Sequence, residues 1–227
     1  MSYSQSYEPP TLAVDGVFFQ IKDNIFEVLL IKRSAEPFKN CWALPGGYNP
    51  KGETTREALQ RVIHLKSGLD VAQDLSYIEQ VCAIDTVARD PRGHAVSIVY
   101  MGCGRKLSHG EGCEESQFYP LDHLPTLAYD HDEIINLAKS RLINKLGHTN
   151  IVFSLMPKKF TQTQLQTAYE SILGRALDKR NFRKKFLSLD FIKETGDTWR
   201  EGAHRPAKLY TFKSNTLVDA DNGFDSL

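Results

Sequence analysis

The chain has 227 residues, with 28 Lys and Arg against 28 Asp and Glu, 41% hydrophobic and 25% charged residues. This is an ordinary globular composition that excludes collagen-like, low-complexity and disulfide-scaffold classes. At roughly 150 residues per domain the length fits one large domain or two small ones. Zero net charge argues against a nucleic-acid partner only if the charge is evenly spread, and it is not. Residues 1–150 carry 15 basic and 19 acidic side chains (net −4), 151–213 carry 13 and 6 (net +7), and 214–227 carry none and 3 (net −3). Positive charge concentrated in one segment is the footprint of a polyanion-binding module; the alternative is a solvated basic face.

Cys41, Cys82, Cys103 and Cys113 form no C-x-x-C pair and have no paired histidines nearby. They read as reduced thiols of a cytoplasmic protein, not as a zinc site or disulfide framework. The first apolar stretch, 11–19, is broken by Asp15 and lacks a basic lead-in. It falls far short of the ~20 apolar residues that span a bilayer, so neither a signal peptide nor a membrane partner is expected.

In chain order, the alternation over 11–20 and the run 26–33 predict strands joined by a turn at Lys22, Asp23 and Asn24. Residues 41–48, Cys-Trp-Ala-Leu-Pro-Gly-Gly-Tyr, place a Pro-Gly-Gly turn between a short strand and a helix predicted over 54–67, which stops at Gly68. Such a turn brings backbone close to whatever lies at the helix start. Residues 78–84 and 95–101 read as further strands, with the polar turn Arg89-Asp90-Pro91-Arg92-Gly93-His94 between them. Asp130 is placed as the cap of a helix patterned by Ile134, Ile135, Leu137, Ala138 and Leu142. Gly147-His148-Thr149-Asn150 carries helix-stop and turn residues and is taken as the domain boundary.

Beyond it, Thr161 and Gln164 have capping-box spacing ahead of a helix that buries Leu165, Ala168, Tyr169 and Ile172 and stops at Gly174. Asp178 caps a second helix, 179–188, with Phe182, Phe186 and Leu189 as its core stripe and Arg180, Arg183 and Lys184 as a separate basic line. A segment 191–195, a polar loop 196–206 and a strand 208–212 follow, and 214–227 reads as a frayed tail. Helix, short turn, basic helix and charged-tip hairpin form the pattern of a winged helix-turn-helix, whose second helix enters the DNA major groove. Lys179, Arg180, Arg183 and Lys184 are then expected on phosphates and base edges, Asn181 on a base or phosphate, and His204 and Arg205 at the wing tip.

The stretch from Gly47 resembles the Nudix hydrolase motif G-x5-E-x7-R-E-U-x-E-E-x-G-U, with Gly47, Glu53, Arg61, Ile63, Gly68 and Leu69 in register. The resemblance implies a Nudix α/β/α sandwich with a mixed sheet. The three glutamates after the motif arginine are replaced by Val62, Leu65 and Lys66. In the family they share one helix face and hold Mg²⁺, which needs hard oxygen ligands. Two apolar side chains and an ammonium provide none, so no catalytic residue, no metal site and no required cofactor are predicted. Glu53 and Arg61 are expected to pair and fix the loop on the helix. Glu57 and His64 read as solvated residues.

A cleft kept without its metal ligands points to a sensor. Its candidate ligand contacts are Arg33, Trp42, Gly46, Gly47, Tyr48 and Lys66, the last as a partial substitute for the cation. Trp42 in the core and Arg33 as a surface cap are the alternatives. The whole chain from about 10 to 213 resembles the Nudix-related transcriptional regulators of the NrtR type. The resemblance rests on Arg89-Asp90-Pro91-Arg92-Gly93, Phe160-Thr161, Asn181-Phe182-Arg183-Lys184 and His204-Arg205-Pro206-Ala207-Lys208-Leu209-Tyr210. It adds Arg89 and Asp130 to the effector site, and implies a homodimeric repressor on a palindromic double-stranded DNA operator, responsive to a small effector. The expected organisation is an α/β sensing domain over 1–150, a small α+β winged helix domain over 151–213 and a flexible tail over 214–227. ADP-ribose or a related nucleotide of NAD metabolism is the first effector expected, a sugar or sugar phosphate of pentose utilisation the second. An active pyrophosphohydrolase with an accessory C-terminal domain is the competing reading.

Overall fold

The protein is described by a computed structural model over residues 9–107, 112, 114–200 and 206–220. Strands β1 (Thr11–Lys22) and β2 (Ile25–Lys32) are joined through Asp23 and Asn24. Both linking residues are left-handed, at φ 50° and 66°, as a two-residue hairpin turn requires. Next come β3 (Trp42–Ala43), β4 (Gly46–Tyr48), α1 (Thr55–Ser67), β5 (Tyr77–Ile84), β6 (Ala95–Cys103), β7 (Glu115–Pro120) and α2 (His131–Leu146). The seven strands form one mixed sheet in the order β3-β2-β1-β6-β5, with β4 paired to β1 and β7 to β2. β1 and β6 run parallel, from Thr11 opposite Ala95 to Phe19 opposite Cys103.

Side chains alternate across this sheet. Val17, Phe19, Val28 and Leu30 pack with Ile134, Ile135, Ala138 and Leu142 of α2, whereas Val14, Phe18 and Leu29 pack with Ala58, Leu59 and Ile63 of α1. The predicted sandwich is therefore present. α1 opens on a Thr54–Glu57 capping box and ends on left-handed Gly68. The short strand expected before the Pro-Gly-Gly stretch is β3, whereas β4 and β7 had no sequence period to reveal them.

A 3-10 turn, Ile151–Ser154, leads to α3 (Gln162–Leu173), α4 (Lys179–Ser188), β8 (Ile192–Trp199) and β9 (Ala207–Phe212). The capping box at Thr161, the αL stop at Gly174 and the Asp178 cap all form as read from the sequence. The strand over 191–195 runs further than expected. β8 continues to Trp199 because an irregularity between Glu194 and Thr198, with Gly196 at φ 84°, lets the ladder resume.

One expectation near the junction, the frayed tail, needs correction. Thr149 and Asn150 are buried, each 1% exposed, and one apolar cluster continues from Leu142 and Leu146 through Ile151 and Phe153 to Phe160, Tyr169, Phe186 and Phe212. The boundary is thus no break in the packed core. Nor is 214–220 frayed: the Asn150 side chain accepts from the Val218 N–H (2.8 Å) and donates to the Thr216 carbonyl (3.0 Å). The Ala220 N–H donates to the His148 carbonyl at 2.7 Å. A buried amide that satisfies its own hydrogen bonds with tail backbone anchors the tail without a regular element.

Candidate functional site

β1 changes partner midway: Phe19–Lys22 face β2, whereas Ala13, Val14 and Asp15 face β4. Where the strand divides, a cleft of about 440 Å³ opens between the sheet end, the C-terminal half of α1 and the start of α2. Arg33, Gly46, Gly47, Tyr48, Lys66 and Arg89, six of the candidate contacts, line it.

Gly46 and Gly47 do not form the turn that was expected. They lie within strand β4, and their value is close approach. A Cβ on Gly46 would run into the Asp15 carboxylate and the Val14 carbonyl, and one on Gly47 would press on Val62 at 3.1 Å. Gly46→Ala should therefore cost about 2 kcal/mol or more of stability, read by urea denaturation; an unchanged midpoint would show that the strand is free to move away.

Trp42 took its core alternative. It does not line the cleft, because its ring packs edge-on against Tyr119 at 5.0 Å and carries the Lys32 ammonium at 5.9 Å. Asp130 holds the N-cap position of α2 but makes no side-chain cap bond. Its two oxygens instead accept from Arg89 Nε and Nη2 at 2.8 and 2.7 Å. It is not itself among the cleft-lining residues, and its contact with the site runs through Arg89.

Asp15 went unrecognised as a cleft residue, whereas Arg92, Tyr129 and His131 stand in the stretches 89–94 and 128–131 that resemble the regulator family. Asp15 accepts from the Ser97 hydroxyl at 2.5 Å and lies 3.6 Å from Arg89 Nη2. His131 Nδ1 accepts from the Leu44 N–H at 2.8 Å, and its Nε2 lies 3.9 Å from Asp15. Tyr129, left-handed at φ 58°, packs on Phe38 and His131 and carries the Arg33 guanidinium 5.0 Å from its ring. Arg92 pairs with Asp90, reaches the Tyr129 hydroxyl at 3.3 Å and lies 5.3 Å from the Tyr48 ring. For Asp15 the available signal was an acid inside an otherwise apolar strand.

Burial opposes charge on Arg89, but Asp130 and Asp15 outweigh it and leave its pKa raised. Burial pushes the His131 imidazole below its ordinary value, the nearby Asp15 opposing. Because the unfolded chain then binds the proton more readily, His131 contributes stability that is complete above about pH 6.5 and declines as pH falls below it. His131→Asn, which keeps an acceptor for Leu44, should flatten the fall in melting temperature between pH 7.5 and 5.5; an unchanged slope would assign the fall to other groups.

The motif helix does not fit a divalent ion. Val62 is buried against Gly47, Leu65 is exposed, and Lys66 contributes an ammonium to the cleft wall. Glu53 is held bidentate by Arg61, which also donates to the Tyr48 carbonyl, so the expected pair does tie loop to helix. Glu57 is not merely solvated: it closes the capping box on Thr54. Among the described residues no group of three or more His, Cys, Asp or Glu side chains is placed to hold a metal.

On α4, Lys179, Arg180, Asn181 and Lys184 are exposed. Arg183 is set back from them, half-buried, with Nη2 3.5 Å from the Thr163 hydroxyl at the start of α3. The hairpin side of this domain is largely self-neutralised, through Lys159–Asp197, Lys208–Glu194 and Lys213–Asp190. No such ion pair among the described residues involves Lys179, Arg180 or Lys184. His204 and Arg205 lie outside the described residues, as does Cys113. No helix of the described residues is long and apolar enough to cross a membrane.

Comparison with known proteins places both halves. Residues 9–138 match the NUDIX domain, and residues 152–212 match the NrtR DNA-binding winged helix domain. An ADPR responsive transcriptional repressor NtrR of Acinetobacter baylyi is 35% identical over 96% of this chain and 87% of its own length. An ADP-ribose pyrophosphatase of Methanocaldococcus jannaschii is 44% identical over 57% of this chain and 73% of its own. The structure of Shewanella oneidensis NrtR complexed with a 27mer DNA superimposes with a TM-score of 0.75 at 30% identity, covering 89% of this chain and 93% of that one. The NUDIX domain of the same protein complexed with ADP ribose gives 0.54 at 29% identity, over 62% and 94%. A sheet-and-helix domain matching one model, a basic helical domain matching the other, and likeness to a repressor along nearly the whole length make this chain a member of the NrtR family of Nudix-related transcriptional regulators.

Proposed function

We propose that the protein is a cytoplasmic, homodimeric repressor of a palindromic operator, in which residues 1–150 sense ADP-ribose or a related nucleotide and residues 151–213 read DNA. The observation that carries this is the cleft, which gathers Arg33, Lys66, Arg89 and Arg92 with Tyr48 and Tyr129, where the motif helix presents Val62, Leu65 and Lys66 in place of carboxylates. Guanidinium and ammonium groups suit a diphosphate, and the exposed Tyr48 ring suits a base or ribose face. The NtrR and NrtR relatives, one named for its response to ADPR and one solved with ADP ribose, support the nucleotide over a sugar.

Regulation follows from differential affinity: the effector must bind one arrangement of the two DNA-reading domains better than another, or it cannot alter DNA binding. A thermal-shift screen of ADP-ribose, other nucleotides, pentoses and pentose phosphates tests the assignment. A ligand at a hundred times its Kd adds about 2.7 kcal/mol of apparent stability. ADP-ribose is expected to give the largest rise, and a response confined to pentoses or their phosphates would transfer the assignment to a sugar.

Lys66→Ala is expected to weaken ADP-ribose binding about tenfold, or about 1.4 kcal/mol, in a calorimetric titration. Wild-type affinity would remove Lys66 from the role of cation substitute. The pyrophosphatase relative at 44% identity keeps catalysis as a second reading. In that reading turnover with Mg²⁺ or Mn²⁺ depends on Glu53 or Glu57, the carboxylates already held by Arg61 and Thr54.

A further inference from the structure

Neither family match covers the junction, residues 139–151, or the segment after 212. That is where the two halves are tied twice. The chain passes forward from α2 through Asn150 into the 3-10 turn, and it also comes back: after β9, residues 214–220 return to the end of α2. There Asn150 donates its own N–H to the Val218 carbonyl at 3.1 Å, and its side chain bonds Thr216 and Val218. Thr149 bridges to Asp219, and Ala220 donates to His148. Leu217 and Ala220 pack on the apolar cluster beneath. The returning strand β9 is itself bonded to the residue that leads into α3, since Phe160 and Tyr210 exchange backbone hydrogen bonds at 3.0 and 2.8 Å.

The other end of α2 lies at the cleft. Tyr129 and His131 line it, and Asp130 holds Arg89. The 16 residues of α2 span about 24 Å as a rigid rod. We infer that residues 214–220, clasped by Asn150, are a strap that fixes the DNA-reading domain to the far end of α2, so that a change at the cleft reaches β9 and α3 as well as the 3-10 turn. Asn150 is the positioning residue of this device: it is buried away from the cleft lining, and it uses its backbone N–H, its side-chain carbonyl and its side-chain amide to hold the returning chain. The strap holds whatever the effector is; its part in signalling rests on the sensor reading above.

The test is amide hydrogen exchange on the full-length protein and on two variants. Val218→Pro deletes the N–H that Asn150 accepts, and Asn150→Ala deletes the clasp. Without ligand, both should accelerate exchange of the Phe153, Leu155, Met156 and Ala220 amides tenfold or more through local opening, while the β1 and β6 amides stay protected. Loss of protection throughout Asn150→Ala would mean general unfolding, and Val218→Pro then decides alone. Unchanged exchange in Val218→Pro overturns the strap. With ADP-ribose, the wild type should gain protection both at the Leu44 and Ala128 amides by the cleft and at Phe153–Met156, and Val218→Pro should keep the first and lose the second. Reader protection that survives in Val218→Pro overturns the coupling. If ADP-ribose protects nothing in the wild type, the effector reading fails, and the ligand-free comparison still judges the strap.

Discussion

Arg89→Ala is expected to destabilise the protein by about 3 to 5 kcal/mol, the cost of breaking a buried ion pair and leaving its partners uncompensated. The Arg89 side chain is 6% exposed, between Asp130 at 13% and Asp15 at 10%. Removing it leaves two carboxylates close to one buried cleft wall, with only the Ser97 hydroxyl and a neutral imidazole nearby. The loss should appear as a shift in the urea midpoint at unchanged slope. Replacing the pair together, as Arg89→Met with Asp130→Leu, should recover part of the stability while leaving ADP-ribose binding impaired, since the cation facing the cleft is still missing. A midpoint unchanged by Arg89→Ala would mean that water, not the arginine, already satisfies Asp15 and Asp130.

The second large effect concerns α4. Arg180 and Lys184 lie four residues apart on one exposed face of that helix, while Lys159, Lys208 and Lys213 are engaged by Asp197, Glu194 and Asp190. Arg180→Ala is expected to weaken operator binding by about 1 to 3 kcal/mol if it reads a base. Lys184→Ala should act similarly on all sequences and reduce the salt dependence by about one counterion. Fluorescence anisotropy on operator and scrambled duplexes at several salt concentrations separates the two roles. Arg183→Ala should instead lower stability, because its guanidinium is set against Thr163 at the start of α3. If Arg180→Ala and Lys184→Ala both leave affinity and salt slope unchanged, α4 is not the DNA-facing helix.

What could be read from the sequence was what repeats or caps. The alternation of β1 and β2, the boxes at Thr54 and Thr161, and the glycine stops at Gly68 and Gly174 are local rules with local causes, and each appears in the structure. The motif spacing around Gly47 brought Glu53 and Arg61 together because a helix and its preceding loop fix that geometry over nine residues. The misses were long-range. The resemblance named Arg89 and Asp130, but the Asp15 and Ser97 that complete their group come from β1 and β6, and no local pattern encodes that meeting. Trp42 was misplaced because a tryptophan beside a glycine-rich strand looks the same whether its ring faces a ligand or Tyr119. The tail was misread because its order comes from the buried Asn150, far away in sequence, and not from any period of its own.

The central claim is that the cleft binds ADP-ribose without consuming it. The most direct measurement follows ADP-ribose by phosphorus NMR in the presence of the full-length protein and Mg²⁺, with a thermal shift on the same sample to establish occupancy. A metal-activated water is what diphosphate hydrolysis in a Nudix site requires, and Val62, Leu65 and Lys66 supply no oxygen to hold the ion. The predicted result is a clear thermal shift with the two diphosphate resonances unchanged over hours. Conversion to phosphomonoester signals in proportion to protein, abolished by Glu53→Gln or Glu57→Gln, would contradict the account and make this chain an enzyme.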